Sequence, residues 1–381
     1  MLSEQIKENI FTFGPFDCLK LHMTIYRLHI LLALFFAASF KLGTAQSVRK
    51  YSNEFLNIGA GASALGMSNA NIALVKDATA GYWNPAGLTR LENNLEVAGM
   101  HAEYFASASK YEYAAAAFKI DEVSTGSISY LRYGTDNIPN TTDLISNGVI
   151  DYDRITSFSA ADNAFLFSYA RQLGIEGLSM GGSAKVIYRQ VGDFASAWGF
   201  GLDFGAQYKK DNWHFAAVAR DVTSTFSAWS FNLDQFKEVF AQTGNALPSN
   251  SVEMALPRLI LATGYQFTIQ KDFGVYPEID LDLTFDGKRN TLVSSTFTSI
   301  DPHVGLLMSY KNFLFLRTGL GNFQHESDFS GKKVTTFQPN IGAGFMYKKF
   351  YFDYALTNLG DQSSAAYSNV FSVRFGINKR N

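Results

Sequence analysis

Four histidines follow residue 45, namely His101, His214, His303 and His325. No two stand at a metal-ligand spacing such as H-E-x-x-H, which would place both imidazoles on one helical face. His303 comes two residues after Asp301, and the pair reads either as a hydrolytic site at a rim or as ordinary polar groups at a strand end. No G-x-S-x-G nucleophile turn or phosphate-binding loop occurs, and Gly59-Ala60-Gly61 lacks the third glycine and preceding strand of a dinucleotide fingerprint. The single cysteine, Cys18, lies ahead of the expected cleavage point, so the exported part would carry no disulfide, thiolate nucleophile or cysteine metal site. With 32 basic and 34 acidic residues there is no electrostatic footprint for nucleic acid. These residues predict no enzyme and no cofactor.

The informative charges are those at every second position. In Glu278-Ile279-Asp280-Leu281-Asp282-Leu283 the acids fall on one face of a strand and the aliphatics on the other, as expected where one side meets water and the other lipid. Lys185, Arg189, Arg317 and Arg374 stand in other alternating runs. Phe371, Val373 and Phe375 would point outward around an inward Arg374, and Phe350, Phe352, Tyr354 and Leu356 outward around Tyr351, Asp353 and Ala355. An interior lined this way either braces itself with ion pairs or forms a binding or conduction path, and its mixed signs argue against strong ion selectivity. An exposed face of a soluble antiparallel sheet is the competing explanation.

The elements that would position these charges begin after an export signal. Leu28 to Phe40 is apolar, follows Arg27 and precedes Gly43-Thr44-Ala45, a secretory signal with cleavage after Ala45 that is too short to span a bilayer as a helix. Residues 23–45 form this signal, and 1–22 read as an over-called start or as an extension. Aromatic content is 15%. With abundant glycine, and no long apolar run after residue 45, that favours an all-β transmembrane barrel.

From Leu95 onward, alternating runs predict fourteen antiparallel strands. They are 95–105, 110–119, 124–134, 164–173, 178–190, 196–209, 212–220, 257–268, 274–285, 301–310, 312–321, 337–347, 350–358 and 367–377. Breaks after even strands are short. Those after odd strands are often long, at 135–163, 221–256, 286–300 and 322–336, although the first and third such connections are brief. Short turns at one end and longer loops at the other are the mark of an up-and-down membrane barrel. Within 221–256, Leu233, Phe236 and Phe240 share a helical face behind an Asn232/Gln235 capping box. With Trp229 and Phe231 nearby, this predicts an external loop helix that docks a partner or packs on its own barrel.

Residues 46–94 precede the strands, and Phe55 to Leu91 lacks alternation. Its Gly59-to-Gly66 stretch, Leu65-Gly66-Met67, Asp77-Ala78 and Trp83-Asn84-Pro85-Ala86-Gly87 resemble the amino-terminal signature of the PorV/PorQ outer-membrane proteins of Bacteroidetes, allied to FadL-type fatty-acid transporters. A second match is Lys185 to Asp193 followed by Gly199 to Gly205. The tail departs from the PorQ pattern, so the likeness is to PorV-like paralogues.

The resemblance implies a FadL-like barrel whose amino-terminal segment folds into or under the lumen. It also implies a binding, shuttle or assembly role with the type IX secretion translocon or its sorting-domain cargo, in outer-membrane lipid. Glycines at 59, 61, 66 and 87, the Asn84-Pro85 turn and the Trp83 anchor suit a plug as well as they suit a loose leader. The rival expectation is FadL-like uptake of a hydrophobic small molecule. An apolar pocket beside the plug with a side opening would favour uptake, whereas a filled polar lumen and broad loops would favour protein binding.

Overall fold

The computed structural model describes residues 52–146, 148–232, 249–327, 331–359 and 367–378. The expected signal, the segment before it, and the loop residues Leu233, Phe236 and Phe240 lie outside the described residues.

Fourteen long antiparallel strands build the wall. They are β1 (Leu95–Tyr104), β2 (Ser109–Lys119), β3 (Ser124–Asn140), β4 (Thr156–Gln172), β5 (Leu178–Val191), β6 (Ala195–Lys210), β7 (Trp213–Arg220), β8 (Arg258–Tyr265), β9 (Phe273–Thr284), β10 (Ser299–Tyr310), β11 (Leu314–Ser327), β12 (Lys333–Tyr347), β13 (Phe350–Thr357) and β14 (Ser368–Ile377). Each pairs with the next, and β1 pairs with both β2 and β14, so that Leu95 faces Phe118 on one side and Ile377 on the other. Closure satisfies every wall strand without an edge, which is the condition for a sheet to sit in hydrocarbon.

Side-chain alternation obeys the sequence pattern. Glu278 is fully buried and its neighbour Ile279 is 46% exposed. Phe371 and Val373 face outward around Arg374. Aromatic pairs collect where β1 begins and β14 ends, hereafter the turn end: Trp213 with Tyr265 (4.8 Å between ring centroids), Phe273 with Tyr310 (4.7 Å) and Phe350 with Phe375 (4.3 Å). Amphipathic rings at that height are what a membrane interface selects. Reversals there are brief, and Asp211, Asn312 and Lys348 take left-handed φ of 54°, 51° and 58° to make them.

At the opposite, loop end the strands outrun their apolar alternation. β3 reaches Asn140 and β4 starts at Thr156, beyond the expected limits at Gly134 and Ala164; β11 and β12 extend likewise to Ser327 and from Lys333. Once the outer face leaves lipid, the ladder hydrogen bonds continue while the demand for apolar side chains stops, so hydrophobic period understates strand length. Register shifts between Thr135 and Ile138, and between Gly321 and Gln324, fall in these extensions.

The expected long connection 221–256 is also corrected. Phe226–Phe231 pairs with the start of β6, and Ser251–Met254 pairs with it in turn, so both continue the wall. Together they resume β7 and β8 after interruptions at 221–225 and 255–257, where Ala255 N–H donates to the Thr225 carbonyl at 2.8 Å.

Inside the ring lies the segment from Ser52 to Asn94. It consists of short helical turns at Glu54–Asn57, Ala62–Leu65, Ala80–Trp83 and Pro85–Arg90 joined by irregular backbone. It enters beside Ser227 near the loop end and leaves at the turn end, where Asn94 N–H donates to Asn378.

Candidate functional site

An irregular segment buried in a barrel must find partners for main-chain groups that no helix or sheet satisfies. The wall supplies them from its inward polar positions. Glu278 Oε1 accepts from Ala73 N–H at 2.6 Å, and Asp280 Oδ2 accepts from Asn71 and Ile72 N–H at 3.0 and 3.2 Å. Glu96 accepts from Ala78 N–H and Ser372 from Ala62 N–H.

Donors answer the carbonyls. Gln207 donates to Ile72 and Val75, Asn340 to Leu65, Arg220 to Tyr82 and Trp83, and Ser168 and Ser183 both to Gly81. Glu278, Asp280, Gln207 and Arg220 are all nearly inaccessible. They therefore act as hydrogen-bond partners of the inner segment rather than as the lining of an open pore.

The remaining charges pair among themselves. Lys185 reaches Asp203 at 2.7 Å and Asp221 at 2.5 Å. Arg189 holds Asp162 at 2.7 Å and Glu253 at 3.3 Å, with the Trp229 ring 4.9 Å from its guanidinium carbon. Arg317 binds Asp353 at 2.8 Å, Arg258 binds Asp282 at 2.7 Å, and Arg374 binds Asp77 at 2.7 Å with Glu96 at 3.8 Å. Beyond the strands, the hydrogen bond from Lys76 holds the Glu92 carboxyl below its ordinary range.

Glycines set how closely segment and wall approach. A Cβ on Gly319 would lie 2.3 Å from the Met67 carbonyl carbon, one on Gly342 3.2 Å from Gly66 Cα, and one on Gly305 2.8 Å from the Met67 methyl. β11 and β12 thus press backbone against backbone at residues 66–68, and β10 meets the side chains of Met67 and Ala70. Within the segment, Gly59 and Gly61 take φ of +111° and +89°, and Gly87 lies where a Cβ would meet the Val75 carbonyl oxygen at 2.3 Å. Trp83 donates from its indole to the Ala60 carbonyl at 2.7 Å. Asn84 accepts from Ala86 N–H, and Pro85 opens the following turn.

The septum at residues 66–71 separates two cavities. One of about 320 Å³ toward the loop end is bounded by Ile58, Leu65, Tyr104 and Tyr133, with Asn340 and Ser68 among its polar walls. The other, about 380 Å³ toward the turn end, has Met67, Leu74, Leu307, Phe315 and Met346 on its apolar side and Lys76, Glu92 and Arg374 on its polar side. A third cavity, about 160 Å³ and of mixed polar and apolar surface, lies between the segment and β7–β10.

The charges singled out in the sequence all face inward, but not in the expected combinations. Glu278 and Asp280 bind backbone instead of the predicted bases, and those bases take Asp203, Asp221, Asp162, Asp353 and Asp77. Alternation marks Asp203 within Gly201-Leu202-Asp203-Phe204-Gly205, whereas Asp77 sits in irregular chain that carries no facing signal. Trp229 and Phe231 lie on a wall-continuing strand instead of in a loop, and the Trp229 ring packs on Arg189; the expected loop helix lies outside the described residues. His303 Nδ1 bonds the Ser68 carbonyl at 2.8 Å and Asp301 stands 3.8 Å from its Nε2, so the ring ties β10 to the inner segment.

No protein-family profile and no curated protein matches the chain. Among solved structures it is similar to the monoaromatic hydrocarbon channel CymD, with a TM-score of 0.51 at 11% identity over 85% of this chain and 99% of that one. It is similar to the Pseudomonas putida toluene transporter TodX, with 0.52 at 13% over 83% and 96%. The Ralstonia pickettii toluene transporter TbuX gives 0.51 at 13% over 84% and 98%. At such identities the likeness speaks for architecture, and the PorV/PorQ resemblance rests on the sequence motifs alone. The chain has the closed, antiparallel, fourteen-stranded architecture of FadL-like barrels.

Proposed function

We propose that the chain is an outer-membrane barrel that admits a small hydrophobic molecule past its inner segment, which serves as a plug. The observation that carries this reading is the pair of partly apolar cavities on either side of one thin septum, residues 66–71. Their sizes exceed the roughly 150 Å³ that accommodates a benzene ring. Displacement of that septum alone would join them. The neighbours named for toluene and monoaromatic hydrocarbons lend the reading a substrate class.

The test is accumulation of labelled toluene by cells lacking their own hydrocarbon channel. Expression of this chain should raise uptake severalfold over empty vector, and an unchanged rate would end the proposal.

A second reading, a PorV-like subunit for type IX secretion, is favoured by the 55–88 motif and by the ion-paired filling of much of the lumen. Affinity purification from detergent-solubilised outer membranes discriminates. Recovery of a translocon barrel or sorting-domain cargo, without toluene uptake, would put this reading first.

A further inference from the structure

The loop-end cavity differs in kind from the turn-end one. None of the described residues that bound it carries a charge, whereas Lys76, Glu92 and Arg374 bound the other. Its two sides also differ. On the β1–β3 side stand the rings of Tyr104 and Tyr133, each packed on Tyr111 with centroids 6.4 and 6.2 Å apart. On the β11–β13 side stand the amides of Gln338, Asn340 and Asn358. Gln338 points inward, since Phe337 and Ile341 at the alternate positions of β12 are exposed on the outer face. Asn340 is already committed, donating to the Leu65 carbonyl at 3.0 Å and accepting from Asn358 N–H at 2.9 Å. Gln338 and Asn358 are only half-buried, so a molecule in the cavity can reach them. Phe105 marks the mouth, for it bounds the cavity and is 60% exposed. It opens the β1–β2 turn, where Phe105, Ala106 and Ser107 take left-handed φ of 53°, 53° and 69°. Such φ is unfavourable for residues with a Cβ, and three in succession here present an aromatic ring at the opening.

These walls select by charge and by one polar group. A carboxylate or ammonium that entered would shed its hydration and meet no opposite charge, a cost that a neutral molecule escapes. A plain hydrocarbon would pack on the rings but leave the Gln338 and Asn358 amides against apolar surface. A ring hydroxyl both donates to an amide oxygen and accepts from an amide N–H. About 320 Å³ holds one substituted ring, being about twice the roughly 150 Å³ that accommodates benzene.

We infer that the loop-end cavity is the selecting site of the route, and that it takes a neutral single-ring aromatic bearing a hydroxyl, the phenol class. It prefers this class to the plain hydrocarbon and turns away ring carboxylates and ring ammonium ions. The inference deepens the hydrophobic-uptake reading and rests on it for the site's role.

The test is calorimetric titration of the detergent-purified full chain with p-cresol, toluene, benzoate and benzylammonium at about pH 7, where the last two are charged. Uptake of the same four, labelled, is measured in cells lacking their own hydrocarbon channel. p-Cresol should bind saturably at one site, about fivefold more tightly than toluene, the yield of one added hydrogen bond. Benzoate and benzylammonium should bind at least about tenfold more weakly than toluene. Q338L combined with Asn358→Gly, which suits the left-handed φ of 58° there, should abolish the cresol advantage and keep toluene affinity. Q338K should raise benzoate affinity about tenfold. Heat-modifiable gel mobility reads barrel assembly; should the double variant fail to assemble, Q338K carries the comparison. No saturation by p-cresol to about 10 mM, equal affinity for cresol and toluene, benzoate bound as tightly as cresol, or a cresol advantage that survives loss of both amides would each overturn the assignment. The expected binding pattern without uptake of any of the four would uphold the site and end the uptake reading alone.

Discussion

Glu278 on β9 and Ala73 in the inner segment are joined by a 2.6 Å hydrogen bond from amide to carboxylate, with no residue of the segment's own supplying that acceptor. Asp280 takes the two preceding amides, so three consecutive N–H groups hang on two side chains of one strand. Replacing both acids with alanine should free this stretch and cost on the order of 2–5 kcal/mol. In planar bilayers E278A/D280A should show frequent conductance events where the wild type is quiet, and a silent double variant would count against the latch.

Packing at the septum makes a separate prediction. Gly319→Leu drives a side chain into the Met67–Ser68 peptide and should expel residues 66–71 from the wall. At Gly99 a Cβ would meet open space, with no heavy atom within 4 Å, so Gly99→Ala is the matched control. Limited proteolysis should cut near residue 68 only in the Gly319 variant, and resistance equal to the control would show that the contact is dispensable.

Lys185 serves two aspartates, Asp203 and Asp221, at the level where β7 is interrupted. Lys185→Met should lower stability by about 3–5 kcal/mol, because it strands two buried carboxylates without a cation. Adding Asp203→Asn and Asp221→Asn should recover much of the loss. Urea unfolding in detergent micelles reads both effects, and a triple variant no better than the single would refute this account.

On the outer face, Ile279→Arg should cost about 2–4 kcal/mol if that position lies at bilayer midplane. The same substitution at Phe297, exposed in the loop between β9 and β10, should be near neutral. Folding into vesicles, followed by denaturant titration, distinguishes a lipid-facing wall from a water-facing one; indistinguishable midpoints would favour the latter.

Trp229→Ala tests the corrected placement of that ring. It should weaken the hold on Arg189 by about 0.5–1 kcal/mol without altering whatever co-purifies with the barrel. Loss of a co-purifying partner would return Trp229 to a docking role.

What could be foreseen from the sequence follows from which physical rule left a period in it. The outward Phe371–Val373–Phe375 and inward Arg374 were legible because lipid and lumen impose strict alternation, and ring closure was implied by an even set of such strands. The partner of Arg374 was not legible. Asp77 belongs to chain without period, and only the folded path brings it within 2.7 Å. Likewise the destination of Glu278 and Asp280 was hidden, since a backbone amide leaves no mark on residue type. Trp229 was misread because the strand that holds it is short and follows a break at 221–225 that resembles the start of a loop.

Between Asn53, bonded to Ser227, and Asn94, bonded to Asn378, the inner segment runs within the ring. The wall is therefore wrapped around a stretch of its own chain. Assembly must either lay that stretch down before the β1–β14 seam zips shut or insert it into a finished hoop, so the order of events at that seam governs how the interior is filled.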